Sequence, residues 1–502
     1  MRHNRDGILK SRRSVHQSET ERPDRMEEAC GVYAVLAAEQ PVANLTYFGL
    51  YSLQHRGQES AGIAVFNQGK IRLHKDMGLV SQVFDQDVLA RMPGHLAVGH
   101  NRYSTTGSSR VCNAQPVVLM TRLGPFALAH NGNLVNASEL RERVDNGQTE
   151  FTSTTDSELI ALAIQQSVES GLGWQSAITK AVAGCRGAFS LVIGTNEGLF
   201  AVRDGYGIRP LVYGRLGDAS EGHWVVSSET CGLDIIGASY EADVQPGEIV
   251  HFQCGDPQPL IERWTESSTR MCVFEMIYFA RPDSRFFGES LYSYRQRIGQ
   301  TLAKESGVDA DLVIGVPDSG IPAAIGYSQA SGIAFADGLI KNRYVGRTFI
   351  QPTQAMREAG IRVKLNPLPD VLAGQRVVVI DDSIVRGTTS RKLVQALRDA
   401  GATEVHMRIS SPPVTHPCFY GIDTDTQDQL IAARLTLEQI KDHLKVDSLA
   451  YLSKEGMVEA ARASSSQFCT ACFDGAYPVP MDESIRSSKL MLEPAGVAAS
   501  LR

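Results

Sequence analysis

No apolar run in the 502-residue sequence approaches the ~20 residues needed to cross a bilayer, so an integral membrane protein is not expected. Excess positive charge is missing as well. Forty-nine Lys and Arg stand against 56 Asp and Glu, a formal net charge of -7, which leaves no overall basic field for nucleic acid. The nine cysteines are scattered at irregular spacing, unlike the dense array of a secreted disulfide scaffold. Some are therefore expected as nucleophiles or metal ligands, in a cytoplasmic protein whose partners are small molecules. Internal repeats and low-complexity tracts are lacking too. The opening stretch MRHNRDGILKSRRSVHQSETERPDRMEEA has no apolar centre and carries six acids. It fits neither a secretory signal nor a transit peptide, and it reads as a disordered leader.

What is present is the composition of a folded globular chain, 43% hydrophobic and 21% charged. Its length is too great for one core, so two or more domains are expected. From Cys30 to about Phe252, CGVYAVLA, AGIAVFN, HLAVGHNRYS, FALAHNG, AFSLVIG, LFAVRD and EIVHFQ read as strands, with helices near residues 45–54 and 156–169. An α+β layered domain follows. Beyond a polar connector around residues 255–269, short wholly apolar runs alternate with helical stretches, as in DLVIGVPDSG and RVVVIDDSIVRGTTSRKLVQALRDAG. That pattern predicts a parallel sheet covered on both faces. The expected boundaries are a leader at 1–29, a first domain at 30–255, a second at 270–480 and a tail at 481–502.

Cys30 opens the first strand. A cysteine attacks as thiolate, and its own α-amino group, with a pKa of about 7.7 to 8.0, is a base suited to neutral pH. That base exists only if Cys30 is the first residue, so the 29 residues before it are expected to be removed as a propeptide. The competing reading of Cys30 alone is a small buried residue at a strand start. Four further strings weigh against it: LQHRGQESAGIAV, GHNRYSTTG, AHNGNLVN and TDSE, in that order. With Cys30 they resemble the N-terminal-nucleophile glutamine amidotransferases over the whole span from Cys30 to about Phe252. The resemblance implies that Cys30 attacks the glutamine carboxamide, forming a γ-glutamyl thioester and releasing ammonia. It makes Asn131 and Gly132 the oxyanion hole, and it makes Arg102 and Asp156 the holders of glutamine's α-carboxylate and α-ammonium. His55, Arg56 and Gly57 resemble a loop that orders over bound glutamine, with a helix C-terminal turn as the alternative.

The second signal is VVVIDDSIVRGTTS at 377–390. A wholly apolar strand ending in two acids, then a small-residue loop and a helix, sets carboxylates and backbone N–H groups at the carboxyl edge of a parallel sheet, where ligands bind. The loop from Ser383 through Arg386 and Gly387 to Thr388 and Thr389 can cradle a phosphate, and Asp381 and Asp382 can hold ribose hydroxyls or magnesium. This stretch resembles the 5-phosphoribosyl 1-pyrophosphate (PRPP) fingerprint of type I phosphoribosyltransferases. That likeness adds Ser319, in VIGVPDSGIPAA, to Asp381 and Asp382 around one magnesium per subunit. Lys341, Arg343, Arg347 and Lys364, in the basic stretch between, can clamp a pyrophosphate.

Four cysteines remain informative. Cys469 and Cys472 form C-x-x-C, a weak signal alone, compatible with redox chemistry or zinc. The contexts of Cys272 in CVFEMIYFARPDS and Cys418 in PCFYGIDT resemble the glutamine PRPP amidotransferases that carry an iron–sulfur cluster. One 4Fe–4S cluster per subunit, held by Cys272, Cys418, Cys469 and Cys472 in a structural role, is what this likeness implies; zinc is the alternative. Cys112, Cys185, Cys231 and Cys254 carry no pattern and read as small apolar residues.

Together these likenesses imply an N-terminal-nucleophile hydrolase sandwich followed by an α/β type I phosphoribosyltransferase domain. They imply conversion of glutamine, PRPP and water into 5-phosphoribosylamine, pyrophosphate and glutamate, the first committed step of purine synthesis. A homotetramer and inhibition by purine nucleotides follow from the family likeness alone. Two rivals stand beside this reading. One is a glutamine amidotransferase with sugar isomerase domains, such as a glucosamine-6-phosphate synthase. The other is a non-enzymatic purine sensor on the phosphoribosyltransferase fold.

Overall fold

The computed structural model describes residues 30–104, 107–342, 365–422, 426–480 and 492. The expected leader at 1–29, the cations Arg343, Arg347 and Lys364, and the tail apart from Leu492 lie outside the described residues.

In the first half the strands are β1 (Gly31–Leu36), β2 (Ser60–Asn67), β3 (Lys70–Met77), β4 (Leu96–Arg102), β5 (Val117–Thr121), β6 (Gly124–Leu134), β7 (Gly187–Thr195), β8 (Gly198–Arg203), β9 (Val212–Arg215), β10 (Trp224–Ser227), β11 (Ser239–Asp243), β12 (Glu248–Phe252) and β13 (Leu260–Arg263). They form two sheets, ordered β11-β9-β10-β1-β4-β2-β3 and β13-β12-β8-β7-β6-β5. Every residue of GVYAVL in β1 is buried, because both faces of its sheet are covered. Val32, Ala34 and Leu36 meet Ala127, Ala129 and Val192 of the second sheet. Tyr33 and Val35, on the other face, meet Leu50 and Leu53 at the helix Val42–Ser52. Helices Asp156–Glu169 and Trp174–Val182 cover the outer face of the second sheet, which completes four layers. The helix at Asp156 has the expected bounds, and Thr155 caps it by accepting the Glu158 N–H. The helix expected at 45–54 starts earlier, because Pro41 at its N-cap is compatible with a helix start.

In the second half the strands are β14 (Met271–Cys272), β15 (Arg285–Phe286), β16 (Glu289–Ser290), β17 (Leu312–Gly315), β18 (Ala334–Phe335), β19 (Leu339–Lys341), β20 (Leu365–Pro367), β21 (Arg376–Asp381), β22 (Glu404–Ile409), β23 (Ser448–Tyr451) and β24 (Phe468–Cys469). A five-stranded parallel sheet has the order β18-β17-β21-β22-β23. The run VVVI in β21 has no polar face because neither face sees water. Val378 and Ile380 pack with Ile298, Leu302 and Tyr327, while Val377 and Val379 pack with Leu393, Leu397 and Leu444. The two halves share a core, in which Val135, Ala188 and Ile208 of the first lie with Phe274 and Tyr420 of the second.

Candidate active sites

Cys30 sits just before β1 and is 5% exposed. Its Sγ donates to the carbonyl oxygen of Tyr103 at 3.3 Å, and the Tyr103 N–H points back at the sulfur at 3.5 Å. Burial pushes the thiol up to about 12, with the Arg102 guanidinium pulling the other way. Such a thiol is protonated at neutral pH and needs a base before it can attack. Arg102 ends β4, is 2% exposed, and donates Nη1 to Ser108 O at 3.2 Å. Asp156 accepts the Leu134 N–H at 2.9 Å and lies 3.7 Å from His130 Nδ1. Burial alone would raise its carboxyl, yet His130 and backbone donors hold it below the usual range. Its charge, like those of Arg102 and Glu59, reaches the Cys30 thiol, so one strand end links Cys30, Asp156 and the Asn131 strand.

Asn131 and Gly132 lie within β6. The Asn131 amide is fully buried, yet neither its Oδ1 nor its Nδ2 has a hydrogen-bond partner, a costly state that a ligand would relieve. Gly132 has φ 148°, and a Cβ there would lie 2.0 Å from Ala188 O, so only glycine fits. His55, Arg56 and Gly57 form the turn after the first helix, the alternative reading of this stretch. Arg56 is 1% exposed and bound to two carboxylates, and a Cβ on Gly57 would meet the Arg102 backbone carbonyl carbon at 2.7 Å. Both are packed foundations of the pocket.

On the other sheet, β17 and β21 are parallel neighbours with Gly315 opposite Ile380, so the loops that follow them leave the same edge side by side. Ser319 Oγ donates to Asp382 Oδ2 at 2.5 Å and Ser383 Oγ to Asp382 Oδ1 at 2.6 Å. Asp381 Oδ1 accepts the Asp382 N–H at 2.9 Å. Ser319 and Ser383 thus meet on the Asp382 carboxylate, with Asp381 the preceding residue on β21, and the side-chain donor atoms of all four are oxygen, the set magnesium takes. Gly387 has φ 83° and precedes the helix Thr388–Asp399, which starts with Thr388 and Thr389. Lys341, at the end of β19, pairs with Asp318 at 2.5 Å; both are well exposed.

The four expected ligand cysteines also converge. Cys272 of β14 stands opposite Cys469 of β24 in a parallel pair. The Thr415 and His416 N–H groups donate to Cys472 O at 2.9 and 3.0 Å, bringing the segment that contains Cys418 against Cys472. Burial raises the Cys272 thiol to about 11 and pushes Cys469 and Cys472 up, and the neighbouring cysteines push each of them further. Among the described residues no three of His, Cys, Asp or Glu are arranged to hold a metal ion as they stand. Four thiols, Cys272 and Cys469 buried and Cys418 and Cys472 partly so, nonetheless have the donor chemistry of an iron–sulfur or zinc centre. Of the other cysteines, Cys185 and Cys231 are buried as expected, but Cys112 and Cys254 are exposed. Cys112 lies in the short 3-10 turn Val111–Asn113 and Cys254 just beyond β12.

Sequence reasoning missed Arg209, Glu229 and Glu275, all fully buried. A signal existed: Glu275 is a lone acid inside VFEMIYFA, and a charge embedded in an apolar run needs a buried partner.

A buried cysteine and a buried, unpartnered amide in one two-sheet domain, joined to a parallel sheet with an acid-rich phosphate-type loop, fit the class of a glutamine amidotransferase fused to a phosphoribosyltransferase. The comparisons agree with that class. Residues 100–234 match the glutamine amidotransferase domain family and residues 296–410 the phosphoribosyl transferase domain family. The chain is 66% identical over 476 residues to the amidophosphoribosyltransferase of Synechococcus elongatus, covering 94% of this chain and 96% of that one. It is 49% identical to the Mycobacterium tuberculosis enzyme of the same name, over 93% and 89% of the two chains. A solved structure of an allosteric regulatory enzyme of purine biosynthesis superposes with a TM-score of 0.85 at 44% identity, over 91% of this chain and 97% of that one. The glutamine PRPP amidotransferase of Bacillus subtilis, complexed with ADP and GMP, gives 0.84 at 44% identity over 91% and 98%. The chain belongs to the amidophosphoribosyltransferase family.

Proposed function

We infer that the chain aminates PRPP with nitrogen from glutamine, giving 5-phosphoribosylamine, pyrophosphate and glutamate. The observation that carries this reading is the fully buried Asn131 amide without a partner on the strand tied to Asp156, whose charge reaches Cys30. In the glutamine half, the Cys30 thiol gives its proton to a base and its sulfur attacks the carboxamide carbon. The negative charge that develops on oxygen is met by the Asn131 Nδ2–H and the Gly132 N–H. Ammonia leaves, and water then cleaves the thioester to glutamate. Arg102 and Asp156 hold the two charged ends of glutamine, one group of each sign.

The base we assign is the Cys30 α-amine, freed by removal of residues 1–29. Such a base suits a thiol that burial holds protonated and that donates to Tyr103 O. In the second half, Ser383 to Thr389 hold the 5-phosphate, and Lys341, with Arg343, Arg347 and Lys364, meets the pyrophosphate. Magnesium held by Ser319, Asp381 and Asp382 would neutralise charge on the leaving pyrophosphate. The sulfurs of Cys272, Cys418, Cys469 and Cys472 suit a 4Fe–4S cluster, which would serve a structural role in tying β14 to β24, since neither half-reaction transfers electrons. Purine nucleotides as inhibitors, a homotetramer and a cytoplasmic location complete the proposal, with domains at 30–255 and 270–480. A nucleotide-bound relative supports the first of these. For location, no helix among the described residues is long and apolar enough to cross a membrane.

The sugar-isomerase rival is set aside by the phosphoribosyl transferase domain match. The sensor rival falls to one assay: the purified protein releases glutamate from glutamine in a PRPP-dependent manner, and a sensor does not.

A further inference from the structure

Beneath the glutamine pocket lies a chain of four buried charges that the reaction described above does not use. Arg56 donates Nε to the carbonyl oxygen of Cys30 at 3.1 Å. Its other nitrogens reach Glu229 Oε1 at 2.5 Å and the two oxygens of Glu275 at 2.7 and 2.9 Å. Glu275 also accepts from Arg209 Nη1 at 3.0 Å, and Arg209 donates both Nε and Nη2 to Tyr420 O at 2.9 Å. All four side chains are 1% exposed or less. Two cations balance two anions, so no net charge is buried, but removal of either carboxylate leaves an uncompensated guanidinium.

The two ends of this chain reach the two parts of the glutamine chemistry. At one end Arg56 grips the backbone of the residue that carries the nucleophile. At the other, Tyr420 belongs to a turn of the second half that lies against the oxyanion strand. A Cβ on Gly421 would come within 3.0 to 3.2 Å of the Gly132 C, O and Cα atoms, and Asn133 Nδ2 donates to Phe419 O at 3.0 Å. Glu275 itself comes from the start of the second half, two residues beyond Val273 and three beyond Cys272. A single carboxylate of the second half is therefore wedged between the support of Cys30 and the support of Gly132.

We propose that Glu275 and Arg209 are positioning residues for the glutamine half-reaction. They fix the distance between Cys30 and the Asn131–Gly132 stretch of β6, so that glutamine cleavage requires the second half to be seated on the first. The inference rests on Cys30 being the nucleophile and adds that its register with the oxyanion donors is set from the other domain. Misplacement of reacting groups by about 1 Å can cost on the order of a hundredfold in rate, so a loosened wedge acts on turnover before it acts on glutamine binding.

The test uses the full mature protein with Glu275→Gln, Arg209→Lys and Cys30→Ala. Lysine keeps a cation beside Glu275 but cannot reproduce the two parallel bonds to Tyr420 O, so Arg209→Lys decides the matter if Glu275→Gln does not fold. The expected result is a glutamine-supported kcat lower by roughly tenfold or more, a KM for glutamine within about twofold, and a smaller loss with ammonia as nitrogen donor. Unchanged kcat, a change in KM alone, or parallel losses with both nitrogen donors would each overturn the proposal. Parallel losses would mark a merely structural role. Glutaminase activity surviving in Cys30→Ala would instead overturn the reading on which the proposal rests.

Discussion

The sulfur of Cys30 and the carbonyl oxygen of Tyr103 are 3.3 Å apart, a contact in which the thiol is the donor and so carries its proton. Burial reinforces that state by raising the thiol to about 12. Activation therefore needs a base close to the sulfur, and the α-amine of a first-residue cysteine is such a base. Protein whose intact mass still includes residues 1–29 is expected to release no glutamate from glutamine, whereas protein beginning at Cys30 releases it. Cys30→Ala in the trimmed form loses the glutamine reaction and keeps synthesis from ammonia. Equal loss of both would contradict separate sites.

Asn131 is the second point of attack. Removing one oxyanion donor lowers kcat by about 10²- to 10³-fold in enzymes of this kind of chemistry, and Asn131→Ala is expected to fall in that range with little change in KM for glutamine. Gly132→Ala goes further, because the new methyl would collide with Ala188 O and the backbone sits at φ 148°. Steady-state glutamate release separates the two variants; a normal kcat in Asn131→Ala removes it from the oxyanion hole.

How much of this was legible beforehand follows from the kind of interaction involved. Strand β21 and its loop could be read from VVVIDDSIVRGTTS, because an unbroken apolar run followed by acids has few structural outlets. Ser319 donates to Asp382 across the edge where β17 and β21 end. The helix at Asp156–Glu169 was legible from its periodicity. The partners of Arg56 were not, since Glu229 lies 173 residues away and Glu275 lies 219 away, and pairing across such separations leaves no local spacing to read. Exposed Cys112 and Cys254 escaped for the opposite reason: nothing in their neighbours distinguishes a surface turn from a core strand.

Asp382 takes hydroxyl donors on both carboxylate oxygens, from Ser319 and Ser383. An amide at this position offers one acceptor and one donor, so one of those contacts is lost along with the negative charge. Asp382→Asn is expected to lower product formation by tenfold or more with either nitrogen source, on the order of one lost charge-assisted interaction. An ammonia reaction that proceeds at the normal rate would remove Asp382 from the PRPP site.

The buried carboxylates give the protein an acid limit. Burial alone would raise Glu229 and Glu275, but His55 and Arg56 hold Glu229 well below its ordinary value of 4.5, and Arg56 and Arg209 do the same for Glu275. A carboxyl lowered in the folded state stabilises fully above its unfolded pKa, and that stabilisation drains away as pH falls toward the folded value. The melting temperature is therefore expected to be flat with respect to these groups above about pH 4.5 and to drop steeply below it. Replacing Glu229 by Gln lowers stability at neutral pH and flattens the acid limb. An equally steep limb in that variant would show that other groups set the limit.

The paired strands β14 and β24 place Cys272 opposite Cys469, with Cys472 and Cys418 beside them. The thiols of Cys272, Cys469 and Cys472 resist ionisation, since burial and the neighbouring cysteines raise their pKa values. As thiolates they need a cationic centre to offset that repulsion, and such a centre would return part of its binding energy as stability of the fold. Anaerobically purified protein is expected to be brown, with broad visible absorption, and to contain about four iron atoms per chain, as a cluster with four cysteine ligands requires. Cys472→Ser removes one ligand and is expected to lose both the colour and several degrees of melting temperature, because β24 is then no longer tied to β14 through the centre. A colourless protein with one zinc per chain would replace the cluster with a tetrahedral zinc site on the same four residues, and a protein with neither metal would leave the thiols as simple packing.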